Sequence, residues 1–214
     1  MSERSDRDRP ERPSQPTPVT LADATEQDLD GILAIYNEVI ASSTAVFSEE
    51  PVTLEDRRGW FVARTEQGYP VLVSRDAQGV AGFGSFGDFR SWPGYRFTVE
   101  HSVHVRTDRR GQGIGTALVA ALVERARALG KHAVIAGVDA GNTASLRMHE
   151  RLGFVVVARL PEVARKFDRW LDLVFLELLL PEGEVPVTAA PSEEQVRLIR
   201  EEIDPGSARL REFA

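Results

Sequence analysis

The chain has 214 residues, 26 basic against 33 acidic side chains, a formal charge of −7 and 42% apolar residues, the profile of a globular protein whose acidic balance argues against nucleic-acid binding. It contains no cysteine, which excludes disulfide frameworks, thiol nucleophiles and thiolate metal sites. No apolar run approaches the roughly 20 residues of a membrane helix, and the opening residues lack the apolar core of a secretion signal, so a cytoplasmic location is expected.

Residues 1–18 hold four Arg, four acids and four Pro, with no apolar residue beyond Met1. Such a segment buries too little surface to offset its ordering entropy and is expected to be a disordered tail. Residues 19–180 carry −3 and read as one domain. Thr25 before Glu26, Gln27 and Asp28 is an N-cap with acids in the first turn, and Leu29, Ile32, Leu33, Tyr36, Val39 and Ile40 follow at helical spacing. A second helix starts at Thr53 and runs to about Thr65. Val71–Ser74 and Val80–Phe86 read as a hairpin around the Asp76–Gly79 turn.

Phe97–Val105 is a strand with Phe97, Val99, His101, Val103 and Val105 on one face and Thr98, Glu100, Ser102 and His104 on the other. A helix is expected over Thr116–Leu129, stopped by Gly130. Ala133–Val138 is a short buried strand. Asn142 or Thr143 opens a helix to about Leu152, ended by Gly153. Phe154–Ala158 and Leu171–Leu180 close the domain as strands. Residues 181–214 carry eight acids against four Arg, net −4, with a capping-box pattern at Ser192 and Gln195 and a short helix expected over 192–203.

The strongest motif is the turn between the Phe97–Val105 strand and the following helix. It places Gly111, Gly113 and Gly115 beside Arg109 and Arg110. Glycines let backbone N–H groups approach a ligand, and a helix N-terminus adds unsatisfied donors and partial positive charge. Together they make an anion cradle suited to pyrophosphate. A P-loop would need a Lys after the glycines, and a dinucleotide site would need Gly-x-Gly-x-x-Gly near the start of a βαβ unit. The reading that remains is an Arg-x-x-Gly-x-Gly turn, Arg110 to Gly115, that cradles the pyrophosphate of coenzyme A. A glycine-rich turn without ligand is the bland alternative.

At these residues the chain resembles the GNAT superfamily of N-acetyltransferases. Arg110-Gly-Gln-Gly-Ile-Gly115 is similar to its acetyl-CoA motif, and Asn142 to His149 followed by Gly153-Phe154 resembles its second cofactor-side helix. Ser43–Phe47, Gly94–Val103 and Arg165–Phe175 resemble the phosphinothricin acetyltransferase branch. The last two are closest to its L-amino acid N-acyltransferases, which acetylate methionine sulfoximine and methionine sulfone. The resemblance covers residues 19–180. It implies a mixed α+β fold whose central, mostly antiparallel sheet is flanked by helices and splays open where Phe97–Val105 and Ala133–Val138 part. Acetyl-CoA as cosubstrate is implied in that opening. Val103, His104 and Val105 would pair with the pantetheine arm, and Arg110, Gly111, Gln112, Gly113, Ile114, Gly115 and Thr116 would hold the pyrophosphate. Asn142 would face the cofactor and Arg151 would reach a phosphate. Members are commonly dimers, so a homodimer is expected.

An ammonium substrate must lose a proton before it attacks a thioester. The resemblance makes Glu100 the base, where position alone also allows a salt-bridged strand acid. His149 occupies the place of a residue that assists the leaving thiolate, and a packing histidine is the alternative. Arg90 would pair with the substrate carboxylate. Pro93, Gly94 and Tyr95 would shape the pocket, and Phe47 would wall it. His101 and His104, at i and i+3 on a strand, point to opposite faces and share no metal, and no metal site is expected. The expected function is N-acetylation of the α-amine of a small amino-acid-like substrate, by direct transfer because no Cys can carry the acetyl group. Acetylation of a polyamine or protein N-terminus, or a CoA-binding regulatory module without catalysis, are the alternatives.

Overall fold

The computed structural model describes residues 19–180. Local chemistry starts each helix. The Thr25 N–H donates to Asp28 Oδ2 at 2.7 Å, closing a capping box over a 3-10 turn at Glu26–Asp28 that leads into α1, Leu29–Ser42. Thr53 and Asp56 repeat the device at α2, Leu54–Glu66. α3 spans Ile114–Ala128 and begins two residues earlier than expected, because Gly113 at φ 84° turns the chain directly into it. α4, Thr143–Arg151, is capped by Asn142 Oδ1, which accepts from the Ser145 N–H at 3.1 Å. Gly130 and Gly153, at φ 66° and 89°, end α3 and α4 as left-handed residues.

Seven strands form one sheet in the order β1-β2-β3-β4-β5-β7-β6. They are β1 Leu21–Asp23, β2 Val71–Asp76, β3 Gly79–Asp88, β4 Thr98–Val105, β5 Ala133–Asp139, β6 Val155–Lys166 and β7 Arg169–Leu179. Only β4 and β5 run parallel. This is the mixed, mostly antiparallel sheet that the sequence reading expects. Two details differ. β1 is too short to show a period. β6 does not stop near Ala158 but continues to Lys166, because its ladder with β7 resumes past a bulge between Leu160 and Ala164. Pro161 and Glu162 hide that continuation in the sequence, and the Glu162 N–H, at φ 50°, is satisfied by Asp172 Oδ1 at 2.9 Å.

The strand period sends side chains to two cores. Leu72, Ala81, Phe86, Val99 and Val134 pack with Leu118, Leu122 and Ala126 of α3 on one face, with Phe154 beside α4. Val71, Val73, Val80 and Phe83 pack with Leu29, Ile32, Ile35 and Val39 of α1 on the other, with Trp60 and Phe61 of α2 against them. A register shift at Ser74/Arg75 keeps Val80 on the α1 face although Val80 and Phe83 are three apart.

The feature that positions the site is where two strands part. β4 pairs with β5 over Thr98–His101 and Ala133–Ala136, and the pairing ends at His101↔Ala136. Beyond it β4 stays paired with β3 through Gly82↔Val105, while β5 stays paired with β7 through Asp139↔Leu173. The sheet opens in its middle and remains hydrogen-bonded on both outer sides. None of the described helices is long and apolar enough to cross a membrane. The tails expected over residues 1–18 and 181–214, including the helix over 192–203, lie outside the described residues.

Close packing of α3 on β3 depends on glycine. A Cβ at Gly84 would lie 2.8 Å from Val103 Cγ2, 3.0 Å from Leu122 Cδ1 and 3.2 Å from the Ser102 carbonyl. Gly84→Ala is therefore expected to destabilise the domain by about 1–3 kcal/mol through overpacking, read as a lower urea midpoint at unchanged m value. An unchanged midpoint would show that α3 can move off the sheet at no cost.

Candidate active site

The opening between β4 and β5 continues into a cleft. Val103, His104, Val105, Arg110, Gly111, Gly113, Ile114, Gly115, Thr116, Asn142 and Arg151 line it, joined by Ala45, Ser145 and Met148. Eleven of the twelve residues expected at the cofactor are thus on one wall system. The twelfth, Gln112, faces an adjoining groove on the Val19 and Asp76 side, where its amide donates to the Asp108 carbonyl at 3.4 Å.

The turn suits a polyphosphate. Gly111 and Gly113 hold φ 76° and 84°, and nothing lies within 4 Å of where a Cβ would stand on either. The backbone can therefore be approached closely. The first turn of α3 has no side-chain cap, so its N–H groups remain to face an anion. These features, together with the unpaired inner edge of β4, fit coenzyme A in the cleft.

Charge in the turn is distributed differently from the sequence reading. Arg109 does not stand free beside the glycines. It pairs with Asp76 at 2.7 Å and Asp108 at 2.8 Å, and Arg106 pairs with the same two acids at 2.8 and 2.6 Å. Those guanidiniums hold the Asp76 and Asp108 carboxyls below the usual range, with the Gln78 N–H the largest influence on Asp76 and Arg106 on Asp108. Arg110 bonds only to the Val105 carbonyl, at 3.3 Å. It is the cation of the turn without a matched acid among the described residues.

Glu100 lies on the face of β4 that looks toward α1 and α2. Gly137 on β5 makes room for it: a Cβ there would stand 2.9 Å from Glu100 Oε1. Burial pushes the Glu100 carboxyl above the usual range, and Arg90 opposes that in part. Phe175 and Leu173 lie on the other side of Gly137. Phe89 links Phe175, at 6.1 Å between ring centroids, to Tyr95, at 5.9 Å. Arg90 stacks on Phe89 at 4.0 Å. Pro93, Gly94 and Tyr95 form a 3-10 turn in the same loop. Of this loop, Arg90 brings its charge to bear on Glu100. Phe47 stands apart in sequence on the α1–α2 loop and is 37% exposed.

His149 is on the other face. Only 3% exposed, it stacks on His101 at 5.1 Å between centroids, and Phe154 meets both rings edge-on. Its Nδ1 lies 2.8 Å from the Ser145 carbonyl, which can only accept, so Nδ1 carries the proton. Its Nε2 then accepts from His101 Nε2, 3.1 Å away, and His101 Nδ1 is left as a buried lone pair without a partner. Both nitrogens of neutral His149 are therefore held by the protein, although the ring borders the narrow end of the opening with Gly137, Asp139 and Asn142. Burial pushes His101 down to about 3 and His104 to about 4, and lowers His149 as well. His104 sits between Tyr36 and Phe83 on the α1 face, so the expected opposition of His101 and His104 holds. No group of three potential ligands among the described residues could hold a metal ion.

Sequence reasoning missed Gly137, His101 as partner of His149, and Lys166. Gly137 had a signal, since glycine inside a buried strand marks a close approach. Lys166 had none, because its partners are 120–126 residues away.

A model of the Acetyltransferase (GNAT) family matches residues 32–154. The chain is 50% identical over 173 residues to the L-methionine sulfoximine/L-methionine sulfone acetyltransferase of Pseudomonas aeruginosa, covering 80% of this chain and 98% of that protein. It is 35% identical over 162 residues to the phosphinothricin N-acetyltransferase of Streptomyces coelicolor, covering 74% and 95%. Among solved structures, a Salmonella typhimurium protein with its cofactor acetyl-CoA aligns with TM-score 0.76 at 42% identity, covering 81% of this chain and all of the other.

The buried imidazoles make stability depend on pH. Their folded pKa values lie below the unfolded value of about 6.5, so the unfolded chain binds protons first as pH falls. Stability is complete above about pH 6.5 and declines below it, by about 1.4 kcal/mol per pH unit for each such histidine at the steepest. Urea midpoints measured from neutral pH down to about pH 5 should fall accordingly, and a flat profile would mean the imidazoles are not held neutral in the core.

Proposed function

The chain belongs to the GNAT family of acetyltransferases and uses acetyl-CoA, and on that premise we propose that it acetylates the α-amine of a small amino acid analogue of the methionine sulfoximine, methionine sulfone or phosphinothricin type. The observation that carries this reading is the juxtaposition at the split. A cleft suited to coenzyme A runs into the point where β4 leaves β5, and a half-buried carboxylate stands at that point within reach of the charge of Arg90 on the β3–β4 loop.

Bound acetyl-CoA supplies an activated acetyl thioester. Glu100, with its raised pKa, takes a proton from the substrate ammonium. The freed nitrogen forms its bond to the acetyl carbon as the carbon–sulfur bond breaks, the sulfur leaves with that electron pair, and the second proton lost from the nitrogen ends on the departing thiolate to give CoA thiol. Transfer is direct, since the chain has no Cys on which the acetyl group could pause. Arg90 receives the substrate carboxylate, and an acid-bearing amine suits this cationic loop better than a polyamine does. Pro93, Gly94, Tyr95 and Phe47 bound the side chain. His149 acts as a positioning group at the thiolate side, because both of its nitrogens are already engaged. The role is detoxification of such analogues.

A homodimer completes the reading. β6 is an edge strand, and Leu160, Val163, Phe167 and Trp170 of its hairpin are exposed apolar side chains that a second copy would cover.

Two measurements test the reading. Purified protein with acetyl-CoA and a panel of these amines should release CoA thiol, and no release from any of them would refute it. Glu100→Gln should lower kcat by about 10²-fold or more while acetyl-CoA affinity is kept. The wild-type acid limb of kcat/KM, falling as Glu100 is protonated, should vanish in that variant. Unchanged turnover would remove Glu100 from the base role.

A further inference from the structure

Lys166 ends β6 with none of its surface exposed. Its Nζ donates to three backbone carbonyls, Ile40 at 2.7 Å, Ser43 at 2.8 Å and Val46 at 2.7 Å. An ammonium has three donors, so each has a partner. Two of those carbonyls belong to the end of α1, where helix carbonyls lack intrahelical donors and the dipole favours a cation. The third, Val46, lies in the α1–α2 loop next to Phe47.

The same loop is tied twice more. The Thr44 hydroxyl donates to the Asp139 carboxylate at the end of β5, and Asp139 also accepts from the Gly141 N–H at 3.2 Å. The Phe167 N–H donates to Glu49 Oε1 at 2.7 Å. Residues 43–49 are thus hung between the open end of β5 and the β6–β7 hairpin. A connector between two helices needs none of these ties, and loops of this kind more often move than not. Here the tied residues include Ala45, which borders both the cleft and the narrow end of the opening.

We propose that Lys166 is a positioning residue for the amine site: by gripping Ile40, Ser43 and Val46 it fixes the α1–α2 loop, places Phe47 against the substrate side chain, and so sets affinity for the amine independently of acetyl-CoA. The inference rests on the reading above in which Phe47 walls the amine pocket. Lys166 does not touch substrate in this scheme and changes no bond.

The test is steady-state kinetics with methionine sulfone as the varied amine, alongside direct titration of acetyl-CoA binding. Lys166→Met keeps the aliphatic stem and removes the donors. It should raise KM for the amine about tenfold, with kcat within about threefold and acetyl-CoA affinity unchanged. Thr44→Val releases the second tie from a partly exposed loop position, and should raise the same KM by a smaller factor. Phe47→Ala should raise KM by itself, and adding Lys166→Met to it should raise KM no further. If Phe47→Ala raises KM while neither Lys166→Met nor Thr44→Val does, Lys166 is merely structural and the proposal is overturned. If Phe47→Ala leaves KM unchanged, the pocket reading itself is wrong and the proposal falls with it. A Lys166→Met protein too unstable to purify leaves the decision to Thr44→Val, whose unchanged KM would overturn the proposal.

Discussion

Everything at this site follows from one constraint on the sheet. β4 and β5 share a parallel ladder through His101↔Ala136 and then part, while each keeps its outer neighbour to its last residue. An opening made this way leaves the two halves rigid, because antiparallel ladders stiffen both sides. It also leaves backbone groups on the inner edge of β4 without a strand partner, which is costly in a dry interior and useful beside a ligand rich in amides. The glycine turn follows directly from the end of β4, so cofactor cradle and strand edge form one continuous surface. α3 holds that surface from one side through its close approach to Gly82 and Gly84.

The two sides of β4 carry different chemistry. Toward α1 and α2, Glu100 rests over Gly137 with its carboxyl raised by burial. Toward α4, burial keeps His101 and His149 neutral, and the two rings stack and meet through their Nε2 atoms. Strand alternation alone separates them, since Glu100 and His101 are adjacent. The carboxylate raised by burial and the neutral imidazole pair therefore lie on opposite faces of β4, on either side of the point where it leaves β5.

Much of this was legible in the sequence because it depended on local signals. Capping residues at Thr25, Thr53 and Asn142, glycine stops at Gly130 and Gly153, and the period of Thr98–Val105 each act within a few residues. The turn at Arg110–Gly115 was legible for the same reason. What escaped was long-range. The continuation of β6 past Pro161 depends on β7, the partner of His149 is 48 residues away, and Lys166 acts across the whole domain. Arg109 shows the converse error. Its charge was plain in the sequence, but Asp76, from the β2–β3 hairpin, neutralises it.

That last arrangement has a consequence for how the cofactor is met. Asp76 and Asp108 bind Arg106 and Arg109 in a closed quartet, so the segment leading into the glycines is braced against the β2–β3 hairpin before any ligand arrives. A phosphate loop ordered in advance forfeits little conformational entropy on association, and the binding free energy is not eroded by loop ordering. A turn braced in this way meets an anion without first having to close around it.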